Sequence, residues 1–449
     1  MSNILREKME KYIPPRDQWT PVDEALYGVN DTYNVEPKQA KKLREDAIRY
    51  SFKHHYENNR FYHEYCKKRG VEPDDIKTDE DFDKIPLIPD VFFKGYPDKD
   101  FIGWLDKTYT GKLPNISIKK TPSYDDIIEV LEKEKIYLTF SSSTSGRFSF
   151  IPRDQITLNR GLFHIINEIK LALQYNNLET LEPFPPKDTC IAAFIPDPSK
   201  TYFWGARVTE GMLNYLYKES DKVYMIDKPF TTELIRNVIM GIMVDKKLGG
   251  FSPKKMVSNY IKHFKKWEKK GKKLIMAGLM SIMDVVISQM EEEGLKLHFE
   301  GGMAFSWGGW KLGESGMMTP KEFGERLEDY LGIPKENCRD LYGMDEMNVY
   351  PVECEGNYKH IPYLLQPYVL DEEMNPLPYG EYGRFAFLDP LANSYPGFIV
   401  TKDRVRLLEH CPVCSRPGVV LESEIMRMPG AENKGCSAVL GEVVKKMSE

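Results

Sequence analysis

The sequence has no long apolar run. Its most hydrophobic segment, "LIMAGLMSIMDVVISQM" from Leu274 to Met290, is interrupted by Asp284. A membrane-spanning helix needs about 18 or more consecutive apolar residues. The segment reads instead as a strand followed by a buried helix, and no membrane span is expected. No secretory leader is expected either, because "MSNILREKMEKY" is charged throughout and has no apolar core. Cysteine is scarce: seven residues, an odd number without regular spacing. That argues against a disulfide framework and for a reducing compartment, so a cytoplasmic protein is expected. Positive charge is not in excess either. The chain carries 62 Lys and Arg against 68 Asp and Glu, a net charge of −6, which disfavours nucleic acid or an anionic membrane as the main partner. The one basic run, "HFKKWEKKGKK" from His263 to Lys273, reads as the solvated face of a helix. Internal repeats, low-complexity stretches and an obvious flexible linker are absent.

What is present suits a large globular chain. At 449 residues, 41% hydrophobic and 29% charged, it can bury a substantial core. Between Pro37 and Gly70, apolar residues recur at three- and four-residue spacing (Leu43, Ala47, Ile48, Phe52, Tyr56), which predicts an amphipathic helix pair stopped by glycine. "IPLIPDVFFKG" (Ile85 to Gly95) reads as an extended connector. From about Leu138 to Gly309, the strand-like segments "YLTF", "TCIAAFIP", "KVYMID" and "KLIMAGL" alternate with helical ones. That alternation predicts βαβ units and a mostly parallel sheet. After Tyr342, short strands with Gly and Pro turns predict an antiparallel, barrel-like subdomain. The expected organisation is an α/β protein divided into a helical region (1–135), an α/β core (136–341), a β-rich subdomain (342–426) and a short tail (427–449).

"YLTFSSSTSGRFSFIPRD" (Tyr137 to Asp154) places Ser141, Ser142, Ser143, Thr144, Ser145 and Gly146 directly after a strand. Converging amides and small hydroxyl side chains make a backbone cradle for phosphate. A serine-rich surface turn is the plainer alternative. A Walker loop is excluded, since the Gly-Lys-Ser/Thr ending is missing.

The loop resembles the phosphate loop of acyl-adenylate-forming enzymes, the superfamily of acyl-CoA ligases and luciferases. Three further segments follow in that superfamily's order: "SWGGWK" (Ser306 to Lys311), "LYGMDE" (Leu341 to Glu346) and "IVTKDRV" (Ile399 to Val405). The resemblance implies ATP-dependent activation of a carboxylic acid as acyl-AMP. It assigns the phosphates to the loop hydroxyls and amides from Ser141 to Gly146, and adenine to the turn at Gly308 and Gly309. Tyr342, Gly343, Asp345 and Glu346 would form the nucleotide motif, with Glu346 on Mg²⁺, and Asp403 would hold the ribose. Arg147 or Arg153 would supply cationic stabilisation. Taken singly, Asp403 also reads as a solvated strand-end carboxylate and Glu346 as a helix-start charge. Two residues depart from the pattern: Ser143 stands where the superfamily has Gly, and Asp345 where it has a phosphate-contacting Thr.

Within the superfamily the chain is most similar to the bioluminescence-type acyl-protein synthetases. "IPLIPDVFFKG", "TSGRFSFIPRD", "HIPYLLQPYVLD" and the tail "RMPGAENKGCSAVL" carry that similarity. It implies that the acyl group, that of a fatty or otherwise apolar acid, passes to Cys436 and then to a partner such as a fatty-acyl reductase. Cys436 as a passively packed residue is the alternative. Only 22 residues follow Arg427, at the hinge position, so the mobile C-terminal domain is expected to be absent or truncated. Two rival functions remain open: a phenylacetate-type acyl-CoA ligase using CoA, and a non-catalytic nucleotide- or acyl-binding protein.

Cys411 and Cys414 have the Cys-x-x-Cys spacing that lets two thiolates share one metal. Cys354 and His360 would complete a structural Zn²⁺ site, with His410 as a rival nitrogen ligand. A redox Cys-x-x-Cys or four unconnected residues are the alternatives. Phe203, Trp204, Trp307 and Trp310 are candidates for an acyl slot, or for plain core.

Overall fold

The computed structural model describes residues 9–97, 100–141, 148–172, 180–226, 228–239, 253–308 and 318–429. In chain order its strands are β1 (Ile88–Pro89), β2 (Ile136–Ser141), β3 (Ser149–Asp154), β4 (Thr189–Pro196) and β5 (Asp221–Ile226). They continue with β6 (Lys273–Leu279), β7 (Met303–Trp307), β8 (Cys338–Leu341), β9 (Val352–Glu353) and β10 (Lys359–His360). The last are β11 (Gln366–Leu370), β12 (Tyr382–Leu388), β13 (Phe398–Leu408), β14 (Val420–Leu421) and β15 (Met426–Arg427).

A large α/β sheet organises the molecule. Its first half is parallel, in the order β5-β4-β6-β7-β8. β4 and β7 are buried at every position, as befits strands covered on both faces by crossover helices. The covering helices include Pro253–Glu268, Met280–Glu292 and Pro320–Leu331. The last begins at a Thr319–Glu322 capping box and ends at Gly332, whose φ is +64°. Helix Pro253–Glu268 carries the basic run: Phe264 and Trp267 are buried while Lys262, Lys265 and Lys266 face solvent.

Beyond Leu341 the chain turns back and every sequential pairing becomes antiparallel, through β9, β10, β14, β13, β12 and β11. The helical N-terminal region packs against this antiparallel half. Phe52 meets Phe398, His55 Nε2 pairs with the Ala392 carbonyl, and β1 runs parallel to β13.

Two local readings differ from the sequence expectation. "YLTF" lies in β2, which pairs with β3 as a separate antiparallel hairpin and not within the parallel sheet. The connection from Ser141 to Ser149 is too short for a crossover, which needs a dozen or more residues. "IPLIPDVFFKG" is not extended throughout, since Asp90–Lys94 forms a 3-10 turn. No helix among the described residues is long and apolar enough to cross a membrane.

Order of strands also fixes where a ligand goes. The chain leaves β4 to one side for β5 and to the other for β6, and open α/β sheets bind ligands outside the carboxyl ends at such a switch point. Gly278 lies next to the carboxyl end of β6, paired with Phe194 of β4. Its φ is +143°, and a Cβ there would sit 2.7 Å from the Phe194 carbonyl oxygen. Gly278→Ala therefore forces both backbone strain and a clash with main chain. We expect a loss of about 1–3 kcal/mol, read as a lower denaturant midpoint with an unchanged slope.

Candidate active site

A cavity of about 440 Å³ opens outside the carboxyl ends of the parallel strands. Leu279 and Met280 line it from the end of β6, Trp307 and Gly308 from β7, and Leu341, Tyr342 and Gly343 from β8. Asp345 and Glu346 follow on the reversing segment, Ser141 and Ser149 face it from the β2–β3 hairpin, and Asp403 and Arg427 enter from β13 and β15. Residues from all four sequence motifs meet in one space. Ser142, Ser143, Thr144, Ser145, Gly146, Arg147, Gly309 and Trp310 lie outside the described residues, as does Cys436.

Arg153 fastens the hairpin to this site. It is fully buried, and each of its guanidinium nitrogens donates to protein. Nη1 binds Asp345 Oδ1 at 3.2 Å and also Thr139 Oγ1. Nη2 binds the carbonyls of Asp345 and Met347, and Nε reaches Asn348 Oδ1 at 3.3 Å. The guanidinium carbon lies 3.4 Å from the Trp204 ring centroid, a desolvated cation–π contact. Arg153 is not among the residues lining the cavity. Its charge is already committed, so it positions the site and does not reach into it.

The carboxylates differ in environment. The Asp345 carboxyl is held up to about 7, chiefly by burial, with Arg153 pulling it down and Glu346 adding to the rise. Its Oδ1 is satisfied by Arg153 and Thr139, while its buried Oδ2 has no hydrogen-bond partner. Glu346 accepts a hydrogen bond from Ser149 Oγ at 3.1 Å, and burial raises its pKa against the pull of Lys94. Asp403 accepts from Tyr342 Oη at 2.8 Å and from Arg427 Nη1 at 2.7 Å. Strand register enforces the latter contact, since Asp403 pairs directly with Arg427 between β13 and β15.

Several lining residues carry charge that the motifs alone did not single out. Lys359, nearly inaccessible, bridges Asp340 Oδ2 at 3.1 Å and Glu353 Oε1 at 2.7 Å. Burial opposes its charge, but Glu353 and Asp340 outweigh that and hold the ammonium above its ordinary pKa. Ser306 Oγ donates to Asp340 Oδ1 at 2.8 Å. Asp340 stands immediately before the motif that runs from Leu341 to Glu346, outside its bounds. Asp90 and Lys94 line the cavity from the 3-10 turn after β1. The opposite wall is apolar: Phe203, Trp204, Gly205, Val208 and Trp307. Three of the four proposed slot aromatics are therefore both buried and cavity-lining.

A second cluster lies apart from the cavity wall. One ligand atom each from Cys354, His360, Cys411 and Cys414 falls within 4.8 Å of all the others. Cys354 Sγ is 3.8 Å from Cys411 Sγ, and Cys414 Sγ is 3.1 Å from His360 Nε2. The sulfur–sulfur separation is close to the edge of a tetrahedron with metal–sulfur bonds of about 2.3 Å. His360 Nε2 faces the thiols, and the geometry groups His360 with them rather than its rival His410.

The fold is one shared with acyl-CoA ligases of known structure. The crystal structure of 2-hydroxyisobutyryl-CoA ligase with 2-HIB-AMP and CoA in the thioesterification state superposes with a TM-score of 0.58 at 15% identity, covering 94% of this chain and 73% of that one. The same ligase in its postadenylation state gives 0.56, covering 96% and 77%. Sequence then narrows the class to a family. The family model described as "Acyl-protein synthetase, LuxE" matches residues 21–108 and 116–445, and the chain belongs to that family. Two curated relatives are long-chain-fatty-acid–luciferin-component ligases. That of Aliivibrio fischeri is 23% identical over 414 residues, covering 91% of this chain and 90% of its own. That of Vibrio harveyi is 22% identical over 431 residues, covering 93% and 92%. The protein is thus an ATP-dependent acyl-activating ligase.

The Arg153–Asp345 contact makes a measurable demand. Arg153→Met strands a buried carboxylate and should cost about 3–5 kcal/mol. In a double-mutant cycle with Asp345→Asn, the combined loss should be well below the sum of the single losses. Strictly additive unfolding free energies would contradict the contact's role.

Proposed function

We propose that the protein joins a long-chain or otherwise apolar carboxylic acid to AMP and then carries the acyl group on Cys436. The observation that carries this is the meeting of Ser141, Glu346 and Asp403 with an apolar wall in one cavity. Asp403 accepts the ribose hydroxyls, its two oxygens held in place by Tyr342 and Arg427. The adenine lies towards Gly308, and the loop from Ser141 holds the phosphates. The acid's chain lies along Phe203, Trp204 and Trp307, so that its carboxylate points at the α-phosphorus.

In adenylation a carboxylate oxygen forms a bond to the α-phosphorus. The bond from that phosphorus to the bridging oxygen breaks, and pyrophosphate leaves with the electron pair. Mg²⁺ fits beside Glu346 and the partnerless Asp345 Oδ2, where it would neutralise charge on the phosphates. Asp345 is tolerable near phosphate because Arg153 already faces its other oxygen. In the second step the Cys436 thiolate attacks the acyl carbonyl, a carbon–sulfur bond forms and AMP departs. The thioester then serves a partner such as a fatty-acyl reductase, in keeping with the relatives' fatty-acid ligase names. The unpaired cysteines suit a reducing, cytoplasmic setting. The chain divides after residues 135, 341 and 426 into a helical region, an α/β core, a β-rich subdomain and a tail. The four-residue Cys/His cluster is assigned to a structural Zn²⁺ that ties β9 and β10 to the Cys411–Cys414 turn.

Two measurements test these assignments. With ATP and a matching acid, the intact mass should rise by one acyl group, labile to hydroxylamine. Cys436→Ser should lose the adduct while keeping ATP–pyrophosphate exchange. Full turnover of Cys436→Ala with free CoA would instead favour a CoA ligase. Separately, purified protein should hold about one zinc per chain, and Cys411→Ser should lose it together with thermal stability. Metal-free protein with unchanged stability would contradict the zinc assignment.

A further inference from the structure

Adenylation brings two anions together, so some cation must stand at the reacting atoms. Arg153 is excluded by its saturated hydrogen bonds, and Lys359 is held between Asp340 and Glu353. Arg427 is paired with Asp403, and Lys321 is exposed in the first turn of helix Pro320–Leu331. One described cation lining the cavity remains. We propose that Lys94 is a catalytic residue of adenylation, its ammonium contacting the substrate carboxylate and the α-phosphate oxygens as they meet.

The placement supports this. Lys94 is half-buried and lines the cavity. Among the described residues it has neither a hydrogen bond nor an ion pair of its own. Carboxylates of Asp90, Glu346 and Asp403 line the same cavity, and the charge of Lys94 is felt by both Glu346 and Asp90. Its backbone is held on two sides. β1 is hydrogen-bonded in parallel to β13, five residues or fewer from Asp403, through the pairs Ile88–Ile399 and Pro89–Val400. Phe93 is fully buried, with its ring centroid 5.8 Å from that of Tyr395, and Tyr395 Oη in turn accepts from Arg153 Nη2. The turn that presents Lys94 is therefore tied to the same cluster that positions Asp345. A rigidly mounted, unpaired ammonium in an apolar-walled cavity is suited to charge that develops during reaction. Lys94 keeps its proton throughout: the new oxygen–phosphorus bond and the departing pyrophosphate balance without proton transfer.

The inference rests on the adenylation reading, and the experiment separates the two. ATP–pyrophosphate exchange is measured across a panel of fatty and aryl acids for wild type, Lys94→Met and Lys94→Arg. Lys94→Met should lower the exchange kcat about 10²–10³-fold, with the KM for ATP moving much less. Lys94→Arg should recover most of the rate. An active wild type with an equally active Lys94→Met overturns the role of Lys94 alone, as does a loss confined to KM. Exchange absent from wild type with every acid overturns the adenylation reading and this role together. If Lys94→Met does not fold, reductive methylation of wild type decides. Lys94 should be protected by ATP plus acid, and unchanged labelling overturns the proposal.

Discussion

Everything in the site depends on one buried guanidinium. Arg153 belongs to a hairpin outside the main sheet, yet its nitrogens bind the backbone and side chains of the segment from Asp345 to Asn348. Trp204 closes its remaining face. A charge removed from water this completely is tolerable only when its donors are all engaged and a counter-charge is adjacent. Asp345 supplies the counter-charge, and the geometry is reciprocal: the hairpin cannot shift without exposing one ion to an apolar interior. The start of the serine-rich loop is thereby set opposite Glu346 and Asp403.

The rest of the architecture serves the same placement. Parallel strands β6, β7 and β8 end at one level, and their carboxyl ends form the floor of the cavity. The chain then reverses, and the antiparallel half returns β13 and β15 to the opposite wall. Register there delivers Asp403 and Arg427 as a pair. A buried triad of Lys359, Asp340 and Glu353 stiffens the seam between the two halves. The N-terminal helices hold β1 against β13, so a residue far away in sequence becomes part of the site.

The change of texture near Tyr342 was legible in sequence because it reflects hydrogen-bond topology. Buried strands between helices must pair in parallel, while short strands joined by Gly and Pro turns pair antiparallel. The motif residues Tyr342, Glu346 and Asp403 were legible by their order. The pairing of "YLTF" was not, since an apolar tetrapeptide carries no sign of its partner. Arg153 looked like a cation for catalysis because its type suits that task. Only three-dimensional packing reveals that its donors are spent on Asp345, Thr139 and Asn348. Lys359 was hidden for the opposite reason: an ordinary lysine gains meaning from strands that bring carboxylates to it, and Lys94, though inside the segment "IPLIPDVFFKG", carried no role until the fold set it in the cavity. The Cys/His cluster lay between these cases, with spacing marking Cys411 and Cys414, and the fold joining Cys354 and His360 to them.

The most direct test is a crystal structure with a non-hydrolysable acyl-adenylate analogue. The account predicts ribose hydroxyls on the Asp403 carboxylate, the acyl chain against Trp204 and Trp307, and the phosphoryl mimic between Ser141 and Glu346. An analogue bound elsewhere, or one whose ribose lies away from Asp403, would contradict it.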